Sequence, residues 1–382
     1  MVKTRKSICF VVAVPMTASA FLLNHFEVLA QEFDIYLVAD FEGANSNLDR
    51  NMHLQGVHSV NIYRNINIVK DFKALLGLMK YFNSMKFDAV FTVTPKAGLL
   101  GILASALVGI KNRIHIFTGQ VWHTKTGFFK LILMSIDRLI FNLASIVLVD
   151  GKAQRNYLIQ KGIINPYRSQ VLGNGSISGV NTKKFVPDAG IRNLYRTQLS
   201  YLDENVVFMF LGRLNKDKGI LDLAFAFNNI QKKYKHARLL LVGHDEENLM
   251  PEVGNIVSDL PAVHFFGPTS VPNEILQVAD VFCLPSYREG FGSSVIEASL
   301  LELPVLCSDT YGLKETIVDN LTGLRHKTAD RVSIESQMEK LILAPTIRDS
   351  MGKEGRKYVL ANFTAESISK EWLAFFRKLL RQ

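Results

Sequence analysis

Residues Tyr287-Arg288-Glu289-Gly290-Phe291-Gly292-Ser293-Ser294-Val295-Ile296-Glu297-Ala298 follow an apolar run at residues 279–284 that ends before Pro285. The apolar run is typical of a buried strand, and the amphipathic pattern after the two glycines is typical of a helix. A buried strand joined by a loop to a helix is the repeating unit of a parallel α/β sheet. The stretch therefore predicts an α/β fold with parallel strands.

The loop in this stretch combines two kinds of binding group. Gly292, at the start of the helix, lets a ligand approach the backbone N–H groups of Ser293 and Ser294, where the helix dipole favours an anion. Glu289 and Glu297 cannot bind phosphate, but each carboxylate can accept hydrogen bonds from hydroxyl groups. A nucleotide-sugar offers both phosphate and hydroxyls. An ordinary strand–loop–helix connection explains the same spacing without a ligand.

A second loop offers positive charge. Residues 206–211 form an apolar run that predicts a strand, and the loop after it contains Arg213 and Lys218. Two cations near one loop suit a diphosphate, because arginine can donate two parallel hydrogen bonds and lysine acts as a point charge. Two solvated surface cations are the alternative interpretation.

The order of these landmarks resembles that of family-4 retaining glycosyltransferases, which have the GT-B fold. Glu289 is followed after seven residues by Glu297 and then by Leu303-Pro304-Val305. The resemblance runs from about residue 206 to residue 323 and includes further landmarks in the same order: 212–219, 239–243, 263–267, 312–316 and 320–323.

This resemblance implies a role for each candidate residue. Arg213 and Lys218 would neutralise the donor diphosphate, and Glu297 would accept hydrogen bonds from the ribose. Glu289 would contact the transferred sugar near its anomeric carbon, and Gly267 would lie beside the base. Retention of anomeric configuration and a uridine donor are likewise implied by the family.

No metal or cofactor is expected beyond the nucleotide-sugar substrate. The sequence contains no Asp-x-Asp pair and no His, Cys and Asp cluster with metal-ligand spacing. The three cysteines, Cys9, Cys283 and Cys307, lie in apolar runs, which indicates buried reduced thiols.

The alternation of apolar runs and helical patterns predicts two doubly wound Rossmann-like domains that face each other across a deep cleft. Residues 173–181 are rich in Gly, Asn and Ser and predict the linker. The expected domains are 1–180 on the acceptor side and 181–365 on the nucleotide-sugar side, with a last helix at 366–382 that crosses back. Strands in the first half are expected at 8–14, 34–39, 59–63, 89–93, 113–117 and 146–149.

The N-terminus allows two interpretations. Lys3, Arg5 and Lys6, followed by the apolar run 8–14, resemble a secretory signal. Pro15 ends the run early, and a helix and a second strand pattern follow, so the first strand of a sheet is favoured. The longest nearly uncharged apolar stretch, 98–110, is too short to span a bilayer, which needs about 20 residues.

The first half departs from the family pattern at two loops. The loop after the first strand, 15–20, contains no glycine pair. Where many members place a catalytic histidine, this chain has Thr118, and His123 follows five residues later. We therefore take His123 as the catalytic candidate, with a histidine on a surface loop as the alternative.

Charge is concentrated in the first half. Residues 1–185 contain 21 Lys and Arg against 10 Asp and Glu, a balance of +11. A basic face can bind a polyanion, and the expected partners are an anionic membrane surface and a lipid-linked or other glycan acceptor. No nucleic-acid-binding motif is present. The aromatic, aliphatic and basic residues at 128–134 suit a membrane surface, although a core helix with Lys130 at its edge explains them too.

The expected function is transfer of a sugar from a nucleotide-sugar to a glycan on a polyprenyl pyrophosphate, as in bacterial O-antigen or capsule synthesis. The expected location is the cytoplasm, peripherally on the inner face of the plasma membrane. Two alternatives remain open: another GT-B-type enzyme, such as a sugar epimerase or a phosphorylase, and a catalytically silent sugar-nucleotide-binding assembly protein.

Overall fold

A computed structural model describes residues 5–41, 52–63 and 67–380; Lys3 lies outside the described residues. The chain divides into two compact units. Unit 1 comprises Met1–Gly179 together with Ala365–Gln382, and unit 2 comprises Val180–Thr364. The change from one unit to the other falls within the Gly, Asn and Ser-rich run, where Gly173, Gly175 and Gly179 all have positive φ.

Seven parallel strands form the sheet in the described part of unit 1, in the order β3-β2-β1-β4-β5-β6-β7. The strands are β1 (Ser7–Val11), β2 (Asp34–Ala39), β3 (Gly56–Ser59), β4 (Ala89–Val93), β5 (Asn112–Phe117), β6 (Ile146–Val149) and β7 (Ser169–Gln170).

The α-helices of unit 1 cover both faces of this sheet. They are α1 (Pro15–Phe21), α2 (Leu23–Leu29), α3 (Ile68–Met85), α4 (Pro95–Leu107), α5 (Gly127–Leu143), α6 (Lys152–Gln160) and α14 (Ala365–Leu380); a 3₁₀ turn spans Val121–Thr124. The last helix belongs to this unit because Trp372 and Phe376 are buried with Phe10 and Phe26 in one apolar cluster.

Unit 2 repeats the architecture. Six parallel strands of its sheet run in the order β10-β9-β8-β11-β12-β13 within the part of the chain that the structure describes. They are β8 (Val206–Leu211), β9 (Ala237–Val242), β10 (Val263–Gly267), β11 (Val281–Leu284), β12 (Val305–Ser308) and β13 (Gly323–His326).

The α-helices of unit 2 are α7 (Ala189–Gln198), α8 (Ile220–Lys233), α9 (Met250–Ile256), α10 (Pro272–Ile275), α11 (Ser293–Leu300), α12 (Arg331–Leu343) and α13 (Pro345–Asn362). Four 3₁₀ turns span Lys216–Lys218, Leu260–Ala262, Leu276–Val278 and Tyr311–Leu313 among the residues described.

The apolar runs of the sequence form the central strands. The N-terminal run forms β1, which lies between β2 and β4, so the strand interpretation of this run is confirmed, although the strand ends at Val11. The run 279–284 gives β11, in which all four residues are buried. Such runs suit parallel strands because helices cover both faces of the sheet.

One predicted strand was misplaced. The expected strand at 59–63 is β3, Gly56–Ser59, at the edge of the sheet. It pairs with β2, whose last residue, Ala39, lies opposite Ser59. Residues beyond Ser59 have no further residue of β2 to pair with, although Val60 and Ile62 remain buried. The short edge strand β7 was missed because two residues carry no detectable pattern.

The order of each sheet reverses once, between β1 and β4 in unit 1 and between β8 and β11 in unit 2. Open α/β sheets bind ligands at the carboxyl ends of strands beside such a switch point. In unit 2, the loops after β8 and β11 therefore mark where a site is expected. No helix among the described residues is long and apolar enough to cross a membrane.

Candidate active site

The predicted donor-site residues of unit 2 lie at the carboxyl ends of its strands. Arg213 follows β8, Gly267 ends β10, and Glu289 follows β11. Lys218 ends the 3₁₀ turn after β8, and Glu297 lies on α11. Because β8 and β11 are adjacent, their loops meet at the switch point.

Lys218 and Glu289 are in direct contact. The Lys218 ammonium donates a hydrogen bond to Oε1 of Glu289, and the hydroxyl of Ser286 donates to the same oxygen at 2.7 Å. The side chains of Lys218 and Glu289 are 19% and 12% exposed. The structure thus brings together two of the predicted catalytic residues, 71 positions apart in sequence.

Glycines permit this contact. A Cβ on Gly219 would lie 2.2 Å from the carbonyl oxygen of Pro285, so only glycine lets the loop of Lys218 approach the end of β11. A Cβ on Gly312 would lie 2.2 Å from the carbonyl oxygen of Glu289. The loop that carries Glu289 is therefore closely packed at Pro285 and at Glu289 itself, which restricts its backbone.

Two further side chains, Tyr287 and Arg288, hold the loop of Glu289, and the sequence did not predict these contacts. The hydroxyl of Tyr287 donates to Asp222 Oδ2 at 2.5 Å, and burial together with this bond raises the tyrosine pKa. Arg288 Nε donates to Asp217 Oδ2 at 2.8 Å. Tyr287 and Arg288 thereby tie the residues before Glu289 to the segment that carries Lys218.

Arg213 is not bonded to Glu289. Its Nη1 donates to both carboxylate oxygens of Glu246, at 2.9 and 3.0 Å, and its side chain is 52% exposed. Glu246 was missed by sequence reasoning. The sequence signal for it is that it lies in the acidic run Asp245–Glu247, which begins three residues after the end of β9.

Glu297 and the start of α11 lie next to one another. Gly292 precedes the helix with φ +67°, and Ser293 and Ser294 occupy its first two positions, where backbone N–H groups have no intrahelical acceptor. Burial raises the pKa of Glu297 to about 7, and the positive charge of Lys184 opposes this shift. Near neutral pH this carboxyl is therefore divided between its charged and its neutral form.

His123 lies in unit 1, on the 3₁₀ turn after β5. Its Nδ1 is 2.8 Å from the hydroxyl of Tyr157 on α6, and its ring meets the tyrosine ring edge-on. The neighbouring Trp122 donates from Nε1 to Asp137 of α5 at 2.7 Å, which fixes the turn. Burial raises the pKa of Asp137 to about 6, and the hydrogen bond from Trp122 opposes this.

The described residues contain no group of three His, Cys, Asp or Glu side chains that could hold a metal ion. All three cysteines are free and buried.

Comparison with known proteins identifies the family. The model of the family "Glycosyl transferases group 1" matches residues 192–358. The chain is 30% identical over 327 residues to the capsular polysaccharide biosynthesis glycosyltransferase CapM of Staphylococcus aureus, and the match covers 85% of this chain and 86% of CapM.

Two further similarities extend over most of the chain. It is 29% identical over 300 residues to a UDP-Gal:alpha-D-GlcNAc-diphosphoundecaprenol alpha-1,3-galactosyltransferase of Escherichia coli, covering 76% of this chain and 75% of that enzyme. The structure of Anabaena HepE in complex with UDP and glucose superposes with a TM-score of 0.81 at 17% identity, covering 97% and 99% of the two chains. The chain therefore belongs to the group 1 glycosyl transferases and has their GT-B fold.

Proposed function

We propose that this glycosyltransferase moves a sugar from a UDP-linked donor to a glycan on a polyprenyl pyrophosphate, with retention of anomeric configuration. In this reaction the bond between the anomeric carbon and the diphosphate oxygen breaks, and the nucleoside diphosphate leaves with the electron pair. The acceptor hydroxyl forms the new bond to the same carbon, and its proton passes to an oxygen of the departing diphosphate.

The observation that carries the proposal is the contact between Lys218 and Glu289 beside the start of α11. A cation and backbone N–H groups suit the charge that develops on the leaving diphosphate. A carboxylate beside the anomeric carbon suits an oxocarbenium-like transition state. Lys218 and Arg213 would bind the diphosphate, Glu289 would face the sugar, and no metal would be required.

The nucleoside would be held by the remaining candidates of unit 2. Glu297 would accept hydrogen bonds from the ribose, and the open space at Gly267, where an added Cβ would meet no atom within 4 Å, would leave room for the base. Support for uridine comes from HepE, whose structure contains UDP. His123 in unit 1 is our candidate for a further catalytic residue.

A lipid-linked acceptor is supported by the E. coli relative, whose name specifies a diphosphoundecaprenol substrate. The surface of unit 1 fits this proposal. The first turns of α5 expose Phe128, Phe129 and Leu131 by 76%, 47% and 57%, whereas Met134 of the same run is packed in the core. The exposed side chain of Lys125 lies just before them.

A second apolar surface lies on α3. The first turns of α3 expose Ile68, Val69 and Phe72. Helix α4 packs against both α3 and α5, and each of the three helices follows a strand of the parallel sheet, so that their first turns lie towards the carboxyl edge of that sheet. Apolar side chains with nearby lysines suit the boundary between lipid headgroups and acyl chains. These surfaces support our proposal that the protein acts peripherally on the inner face of the plasma membrane.

The test of the donor site is binding of a panel of nucleoside diphosphates and nucleotide-sugars, measured by calorimetry. Wild type should bind one nucleotide selectively, and Arg213→Ala/Lys218→Ala should lose this binding. Lys216→Ala is the matched control, because its side chain is an exposed cation on the same 3₁₀ turn. A folded wild-type protein that binds none of the panel would refute the proposal. Product analysis with the bound donor would separate glycosyl transfer from epimerisation or phosphorolysis.

A further inference from the structure

Glu246 and Arg213 lie on the loops that follow two neighbouring parallel strands, β9 and β8. The two loops are fastened through their backbones. Leu214 N donates to His244 O at 2.8 Å, and Glu246 N donates to Leu214 O at 3.0 Å. The main chain at Glu246 is therefore held in place independently of the contact between its side chain and Arg213.

The glycine that ends β9 brings these loops unusually close. A Cβ on Gly243 would lie 1.8 Å from the carbonyl oxygen of Gly212, so no larger residue fits there. Glu246 also accepts a hydrogen bond from Asn215 Nδ2 at 2.9 Å, and Asn215 is 8% exposed. The carboxylate thus has a fixed partner besides the arginine, and its side chain is 16% exposed.

The contact leaves one edge of the guanidinium available. Both hydrogen bonds to Glu246 start at Nη1 of Arg213, and Nε and Nη2 donate to no other described residue. The side chain as a whole is 52% exposed. Nε and Nη2 form a planar pair of donors that matches two oxygens of a phosphate.

We propose that Glu246 is a positioning residue for Arg213, which it holds by Nη1 so that the Nε and Nη2 edge can bind the diphosphate of the nucleotide donor. The inference rests on the proposed function of this site. A free arginine side chain loses rotamer freedom when it binds a ligand, and the fixed carboxylate removes that cost beforehand. The negative charge of Glu246 acts in the opposite direction, because it weakens the attraction between Arg213 and a phosphate. The two effects predict opposite results when Glu246 is neutralised.

The experiment measures UDP and uridine binding by calorimetry for wild type, Glu246→Gln, Arg213→Ala and the double variant. Glutamine keeps the size of the side chain, but its amide nitrogen cannot accept a hydrogen bond. One of the two hydrogen bonds from Nη1 of Arg213 is therefore lost. We expect each single variant to weaken UDP binding by about tenfold. The double variant should bind UDP no more weakly than Arg213→Ala alone, because Glu246 acts through Arg213.

Uridine separates positioning from a merely structural role. It lacks phosphate, so its affinity should stay unchanged in Glu246→Gln if the loop is intact. A structural role would weaken uridine and UDP together. Glu252→Gln is the matched control, because Glu252 is an exposed carboxylate on α9, the helix that follows β9. This variant should bind UDP and uridine as wild type does.

Two contrary results have different meanings. If Arg213→Ala binds UDP more weakly than wild type, but Glu246→Gln binds UDP as tightly as wild type or more tightly, the positioning role is refuted and the donor site stands. Losses that add in the double variant would refute it as well. If wild type binds no UDP, or Arg213→Ala binds it as wild type does, the donor-site assignment fails and this inference fails with it.

Discussion

Lys218 donates a hydrogen bond to Glu289, so the proposed diphosphate-binding cation and the proposed sugar-facing carboxylate neutralise one another in this structure. Both side chains are largely buried, and Ser286 donates a second hydrogen bond to the same carboxylate oxygen. A carboxylate held by two donors is restricted to one orientation. A diphosphate near Lys218 would share the lysine charge, which would leave Glu289 with more negative charge beside the sugar.

Replacement of Glu289 by glutamine should separate catalysis from donor binding. Glutamine has the same shape and keeps a carbonyl that can accept from Lys218 or Ser286, so UDP binding should change by less than about threefold. The charge beside the anomeric carbon is lost, and turnover should fall by roughly 10²–10³-fold. Calorimetry with UDP and an assay of donor turnover would measure the two quantities. Unchanged turnover in a folded Glu289→Gln protein would show that Glu289 is not catalytic, and a folded wild type that binds the donor without turnover would favour a catalytically silent binding protein.

Donor binding should depend on pH through Glu297. Burial raises its pKa to about 7, so its charged form predominates only above that pH. Because the charged form is the better acceptor for ribose hydroxyls, UDP affinity should rise by about tenfold from pH 6 to pH 8. Calorimetric titrations at several pH values in this range would measure this change in UDP affinity.

The control for this prediction is Glu297→Gln, which has no ionisable group at this position. UDP itself titrates near pH 6, and that contribution remains in the variant. The difference between the two proteins therefore isolates Glu297. An equal pH dependence in wild type and variant would show that Glu297 does not contact the bound nucleotide in its charged form.

Much of the fold follows from the sequence, because parallel strands covered on both faces must be apolar throughout. This is why β4, β6 and β8 have the predicted bounds. The bounds of edge strands cannot be predicted in this way. The strand β3 is half exposed and ends where its partner ends, so its bounds depend on pairing with β2.

The site was partly predictable for a related reason. Arg213, Lys218 and Glu289 could be placed at one edge because the carboxyl ends of parallel strands share that edge. Their partners could not be placed. Glu246 lies 33 positions from Arg213, and their contact depends on how closely Gly243 lets two loops pack. Such proximity is a property of the folded backbone and leaves no periodic signal in the sequence.

Unit 1 should lose stability in mild acid because of His25. This fully buried side chain has a backbone acceptor, Ile177 O, at 2.6 Å from Nε2, so Nε2 carries the proton and Nδ1 accepts from Ser369. Burial lowers its pKa to about 4, below the unfolded value of about 6.5. The unfolded chain therefore binds the proton more readily, and stability is lost as the pH falls from about 6.5 towards 4.

Between pH 7 and pH 5, His25 is expected to lower the free energy of unfolding by about 2 kcal/mol. His115 is also buried in unit 1, and its pKa is lowered to about 3, so it too decreases the free energy of unfolding as the pH falls. Thermal unfolding at both pH values should show a smaller decrease in His25→Gln than in wild type, whereas exposed His53→Gln should behave as wild type. Equal decreases in all three proteins would contradict the assignment.

Membrane binding should depend on the first turns of α5. Phe128 and Leu131 are 76% and 57% exposed, and burying a large apolar side chain in lipid contributes about 1.5–3 kcal/mol. Phe128→Glu/Leu131→Glu should therefore reduce binding to anionic phospholipid vesicles by at least about tenfold, measured by co-sedimentation at low salt. Tyr167→Glu is the matched control, because Tyr167 is an aromatic residue of unit 1 that is 93% exposed, and its neighbour Arg168 bonds Ala144 at the opposite, C-terminal end of α5. If both variants lose vesicle binding equally, the added negative charge alone explains the loss. If wild type does not bind vesicles, the proposed membrane surface is wrong.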